Sequence, residues 1–126
     1  HSGASSVRVG LGPTELSQVL TNLLVNARDA VMELPDSSER QITASTTIEG
    51  DNCVFTMTNN GPHIPDDVLP TIFEAFVSTK ETGKGTGLGL WISKSIVSEA
   101  GGTLLLENIP QGVRATMRLP LISGGK

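Results

Sequence analysis

Tyrosine is absent, tryptophan occurs once and phenylalanine three times, so aromatic residues make up only 3% of the 126 positions. The core of such a chain has to be aliphatic, and there is little for nucleic-acid bases to stack on. Basic residues are scarce as well. Nine Lys and Arg stand against thirteen Asp and Glu, a formal net charge of −4, whereas a nucleic-acid surface needs a basic face. An anionic ligand would have to be held by local N–H groups, lysines and a metal ion, because the overall field repels it. The single cysteine, Cys53, leaves no internal disulfide and no multi-cysteine metal site, and its neighbours Val54 and Phe55 make it a small core residue. No apolar run reaches the roughly 18 residues of a membrane helix, and no signal peptide is recognisable, so a cytoplasmic fragment without membrane insertion is expected. The length suits one domain with one core, expected over 7–126, with 1–6 a tag remnant or linker.

Glycine, by contrast, is plentiful, with fourteen in all. Gly83, Gly85, Gly87 and Gly89 alternate, which leaves a backbone with few Cβ atoms that can approach a ligand closely. Leu88, Ile92 and Ile96 then recur at helical spacing. A flexible glycine run feeding a helix N-terminus suits an anion, since unpaired N–H groups and the helix dipole both point at it. A glycine turn that merely begins a helix would read the same way. Spacing excludes the dinucleotide and protein-kinase loops, which would need glycine where Leu88 or Leu90 stands. It also excludes the Walker pattern, which needs Ser or Thr where Gly85 follows Lys84.

In chain order, Val7–Val9 reads as a short strand. Pro13 and Glu15 open a long helix whose apolar stripe is Leu16, Leu20, Leu23, Ala27, Val31 and Leu34, flanked by Val19 and Ala30 and ended by Pro35. At about 100° per residue, Asn22, Asn26, Asp29 and Glu33 fall beside that stripe, at the rim of the buried face, where they can line a cleft or simply face solvent. Gln41–Ile48 and Cys53–Thr58 read as a hairpin, and Thr103–Ile109 and Val113–Leu119 as another. Between them come a loop at Asn59–Pro65, a short helix capped by Asp66 and Asp67, a polar segment that could act as a lid around Ser78–Lys80, and the Trp91 helix stopped by Gly101 and Gly102. The expected fold class is α/β: a two-layer sandwich, a mixed β-sheet with three helices packed on one face.

Asn22-Leu23-Leu24-Val25-Asn26-Ala27-Arg28-Asp29-Ala30 resembles the N box of the sensor histidine kinase catalytic domain. Ile72–Lys80 resembles its F box, Gly85-Thr86-Gly87-Leu88-Gly89-Leu90 its second glycine box, and Gly101-Gly102-Thr103 its final one. These stand in family order from Glu15 to Pro120. The resemblance implies the Bergerat ATP-binding fold, with ATP and Mg²⁺ as ligands. It implies a magnesium ligand at Asn26, a catalytic set of Asn22, Asn26 and Lys80, and nucleotide contacts from Asn26, Asp29, Asn59, Gly61, Ile64, Phe76, Lys80, Lys84, Gly85, Thr86, Gly87, Leu88 and Gly89. It implies, as partners, a histidine-bearing dimerisation domain of the same protein and a response-regulator receiver domain, with the isolated fragment a monomer.

The hydrolytic relatives look to have a glutamate base where this chain has Asn22. An amide cannot take a proton from water, which favours phosphotransfer to a neutral histidine over ATP hydrolysis. Two departures from the family pattern stand out. Asn59 replaces an aspartate that accepts a hydrogen bond from adenine, and a neutral bond there costs roughly 1 kcal/mol relative to a charged one. His63 replaces a glycine, and either narrows the adenine site or swings aside. These departures motivate an alternative, a degenerate nucleotide-binding or docking module. A stand-alone ATPase or serine kinase of the same fold is another. Only His1 and His63 are present, and neither sits in a phosphoacceptor setting, so the fragment alone is expected to have no autokinase activity.

Overall fold

A computed structural model describes residues 11–35, 39–74 and 89–121. Helix α1 runs Pro13–Val31, with Pro13 and Glu15 in its first turn. Its buried face is Val19, Leu23, Ala27 and Val31, one residue every four. Leu23, Ala27 and Val31 lie on the expected stripe, and in the first turns the flanking Val19 is fully buried while Leu16 and Leu20 are half-buried against the core. The last turn tightens as Glu33 N–H bonds Ala30 O and Leu34 N–H bonds Val31 O. The Arg40 guanidinium then covers the Leu34 carbonyl at 2.8 Å.

Four strands follow: β1 Ile42–Glu49, β2 Asn52–Asn59, β3 Thr103–Ile109 and β4 Gly112–Pro120. The sheet order is β1-β2-β4-β3 and every pairing is antiparallel, so the mixed sheet that was expected is not found among the described residues. The strand expected at Val7–Val9 lies outside them. Both hairpins match expectation, with Gly50 at φ 59° in the first turn, where the left-handed region favours glycine. Alternation sorts the two faces. Val113, Ala115, Met117 and Leu119 of β4 are buried against the helices, and Arg114 and Arg118 point the other way to meet Glu107 and Glu49.

Helix α2 spans Gly89–Glu99. Its buried residues are Ser93 and Val97, one position round from the expected stripe of Ile92 and Ile96, which are half-buried. Gly101 ends it at φ 82°, and Gly102 N–H returns to Val97 O at 2.9 Å. The third expected helix is not an α-helix. Asp66–Val68 form a turn, and Leu69–Thr71 a single 3₁₀ turn whose first residues carry no side-chain cap, since Val68 rather than an aspartate occupies the cap position. Val19, Leu23 and Ala27 of α1 pack with Val97 of α2 on Met57, Leu104, Ala115 and Met117 of the sheet, which makes two layers with both α-helices on one face.

Candidate functional site

The two helices meet through Asn22. Its amide nitrogen donates to the Gly89 carbonyl at 3.3 Å and to the Ser93 hydroxyl at 3.2 Å, and Ser93 is fully buried. This bond explains the rotation of α2. A serine takes the innermost position because a polar partner waits for it there. The first residue of α2 is thereby fixed one amide away from α1.

Further along α1, the loop after β2 comes in against Ala30. Gly61 is buried there, and a Cβ on it would lie 2.7 Å from the Ala30 backbone carbon and oxygen, a spacing that no side-chain-bearing residue tolerates. Asn59 holds the turn, its side-chain Oδ1 accepting the Gly61 N–H at 2.8 Å. Asn60 turns outward to β1, accepting from the Gln41 N–H at 2.8 Å and donating to the Glu39 carbonyl.

Between these two points α1, the sheet and the loop enclose a hollow of about 310 Å³. Asn26, Asp29 and Glu33 rim it from α1, and Asn59, His63 and Ile64 close its far side. Met57, Leu106, Val113 and Ala115 form an apolar floor, and Ile72 and Leu90 stand at the walls. The floor is sheet, and its polar edge is Asn59, which pairs across from Val113 in the register.

The loop is sewn to the other side of that same row. Asn108, which also pairs with Val113, accepts the Ile64 N–H at 2.8 Å and donates to the Ile64 carbonyl at 2.9 Å, as a neighbouring strand would. His63 Nε2 lies 2.7 Å from the Ile109 carbonyl. A carbonyl only accepts, so Nε2 carries the proton. The ring thus leans on the β3–β4 hairpin and also lines the hollow.

Of the residues expected at a site, Asn26, Asp29, Asn59 and Ile64 line one hollow, Gly61 stands directly behind it, and Asn22 and Gly89 are bonded at its helix end. Phe76, Lys80, Lys84, Gly85, Thr86, Gly87 and Leu88 lie outside the described residues. Asn108 and the apolar floor were not expected. Asn108 occupies a core-facing position after Leu104 and Leu106, and a polar residue in that register is the signal that could have found it.

Among the described residues no group of three or more His, Cys, Asp or Glu could hold a metal. Asn26 offers a single hard oxygen, which suits a Mg²⁺ ion that keeps its waters and takes its remaining ligands from phosphate, and does not suit a closed structural site.

The sequence matches the family of histidine kinase-, DNA gyrase B- and HSP90-like ATPases over residues 12–123. The two-component sensor PprA of Pseudomonas aeruginosa is 39% identical over 109 residues, covering 85% of this chain and 12% of that protein. The sensor kinase CckA of Brucella abortus is 38% identical over 125 residues, covering 90% and 13%. The chain therefore spans only about an eighth of the length of these relatives. Among solved structures, the catalytic domain of histidine kinase ThkA superposes with a TM-score of 0.72 at 32% identity, over 85% of this chain and 66% of that one. A mycobacterial sensor histidine kinase, MprB, gives 0.74 at 26% identity over 88% and 73%. With the match running through nearly the whole chain and the superposed structures being histidine kinase domains, this protein belongs to the histidine kinase-, DNA gyrase B- and HSP90-like ATPase family and stands within it among the sensor histidine kinases.

Proposed function

We propose that this domain binds Mg-ATP in the hollow along α1 and donates the γ-phosphate to a histidine on a separate dimerisation domain. The phosphorus–oxygen bond to the β-phosphate breaks and a phosphorus–nitrogen bond to the neutral imidazole forms, with ADP leaving. The phosphoryl group then passes to a receiver domain, in a cytoplasmic two-component relay. The observation that carries this reading is the Asn22–Gly89 bond, because it brings the last glycine of the run to the same helix edge as Asn26 and the hollow.

Each residue's chemistry supports a role. Asn26 would hold a Mg²⁺ ion, which offsets phosphate charge. Asn22 is committed as a donor to Gly89 and Ser93, and an amide has no basic lone pair to activate water, so transfer to an acceptor that is already a nucleophile is favoured over hydrolysis. Asn59 and Ile64 would meet the base, and Lys80 and Lys84 with the glycines Gly85 to Gly89 would meet the phosphates.

Calorimetric titration of ADP with and without Mg²⁺ tests the reading. The parent should bind more tightly with Mg²⁺, and Asn26→Ala should remove that dependence. A separately supplied histidine-bearing domain should become phosphorylated from ATP, while this chain alone should not label itself. One observation favours a second reading, a degenerate docking module: the neutral Asn59 at the base edge. Absence of heat at millimolar ADP would select it.

A further inference from the structure

The Gly61 N–H settles which way the Asn59 amide faces. An N–H at 2.8 Å can be met only by an acceptor, so the side-chain oxygen points at Gly61 and the amino group points away from it. That amino group has no partner among the described residues, and Asn59 lines the hollow. The base edge of the hollow therefore presents an N–H₂ donor, beside an oxygen that has one lone pair engaged in the turn.

The two ends of the hollow are told apart by α1. Asn22 contacts the start of α2, and Ala30 contacts Gly61, eight residues later, which along a helix is about 12 Å. The helix end is the place for phosphate. The Asn59 end, above the floor of Met57, Val113 and Ala115, is the place for a flat ring. A group at that ring's edge meets the Asn59 amino group or the oxygen that the Gly61 N–H already shares. Adenine offers an amino group at its 6-position, which can be taken only by that shared oxygen. A 6-oxo purine offers a carbonyl there, which accepts directly.

We infer that Asn59 gives this site a relaxed base preference, so that 6-oxo purine nucleotides (inosine and guanosine phosphates) are bound as well as adenine nucleotides. The inference rests on the proposed nucleotide-binding function and concerns only which base that hollow takes. Asn59→Asp keeps the acceptor for Gly61 and replaces the free amino group by a second oxygen. That variant should hold the same turn but repel the 6-carbonyl and welcome the 6-amino group.

The test is a calorimetric comparison of ADP, IDP and GDP, each with Mg²⁺, on the parent and on Asn59→Asp. IDP differs from ADP mainly at the 6-position, and GDP adds a 2-amino group that reports separately on the room left in the hollow. For the parent, IDP should bind within about threefold of ADP or more tightly. In Asn59→Asp the preference should move toward ADP by about tenfold, the usual effect of leaving buried polar groups mismatched. If the parent binds ADP more than about threefold tighter than IDP, the inference is overturned while the nucleotide site stands. An unchanged ADP-to-IDP ratio in Asn59→Asp, with its unfolding midpoint at the parent value, overturns it too. If none of the three nucleotides binds, the proposed function itself has failed and the inference goes with it.

Discussion

Two asparagines hold the two ends of the hollow, and they do so differently. Among the described residues Asn22 uses only its amino group, donating at 3.3 and 3.2 Å to a carbonyl and a hydroxyl on α2. Asn108 uses both ends of its amide, at 2.8 and 2.9 Å, on the N–H and C=O of one residue, Ile64. The second arrangement is shorter and reciprocal, so it leaves no backbone group of Ile64 unpaired and fixes the loop in register with β3. The first ties helix to helix through longer bonds that run one way only among the described residues. The loop end, where a base would lie, is thus held more firmly by hydrogen bonds than the helix end, where phosphate would lie.

The sharpest way to break the firm end is at Gly61. A methyl there meets the Ala30 backbone at 2.7 Å, so Gly61→Ala should cost about 1–3 kcal/mol in urea unfolding, as overpacking does, and push the loop off α1 with loss of nucleotide binding. Unchanged stability and affinity would mean that the loop does not press on the helix. Next, Asn108→Ala removes both partners of Ile64 and should destabilise by about 1–3 kcal/mol, with faster amide exchange at Ile64. Asn22→Ala should cost less, about 1 kcal/mol, because its bonds are long and only half-buried. A double-mutant cycle with Ser93→Ala should return coupling between the two, and perfect additivity would count against the bond. The smallest effect is expected from His63→Ala, about 0.5 kcal/mol, since its bond to Ile109 is exposed. A large gain in ADP affinity for His63→Gly would mean that the ring narrows the hollow instead of leaning on the hairpin.

The start of α1, both hairpins and the glycine stop after α2 were legible because each depends on neighbours in sequence: Pro13, the Gly50 turn, Gly101. The helix ends at Val31, short of the expected stop at Pro35, because its last turn tightens onto the Ala30 and Val31 carbonyls. Helical spacing put Asn26 and Asp29 on one edge of α1, and motif order alone added Asn59, 30 residues on, which lines the same hollow. What failed depended on partners far away. Ser93 displaced Ile92 and Ile96 from the innermost position of α2 because Asn22, 71 residues earlier, binds its hydroxyl. Asp66 and Asp67 did not cap a helix, since Val68 and Leu69 close back on the Pro65 carbonyl in a turn. Asn108 has no local signature at all apart from its parity in β3, and Ile64 is 44 residues away.

The strand order carries a consequence for how the molecule assembles itself. β4 is the last of the four strands along the chain, yet it lies between β2 and β3, with Pro120 opposite Asn52. Until it is in place the first hairpin has an open flank and β3 has no neighbour within the sheet. The floor of the hollow, much of which is β4, therefore cannot exist in a half-made domain, and nucleotide capture should report the completed sheet alone.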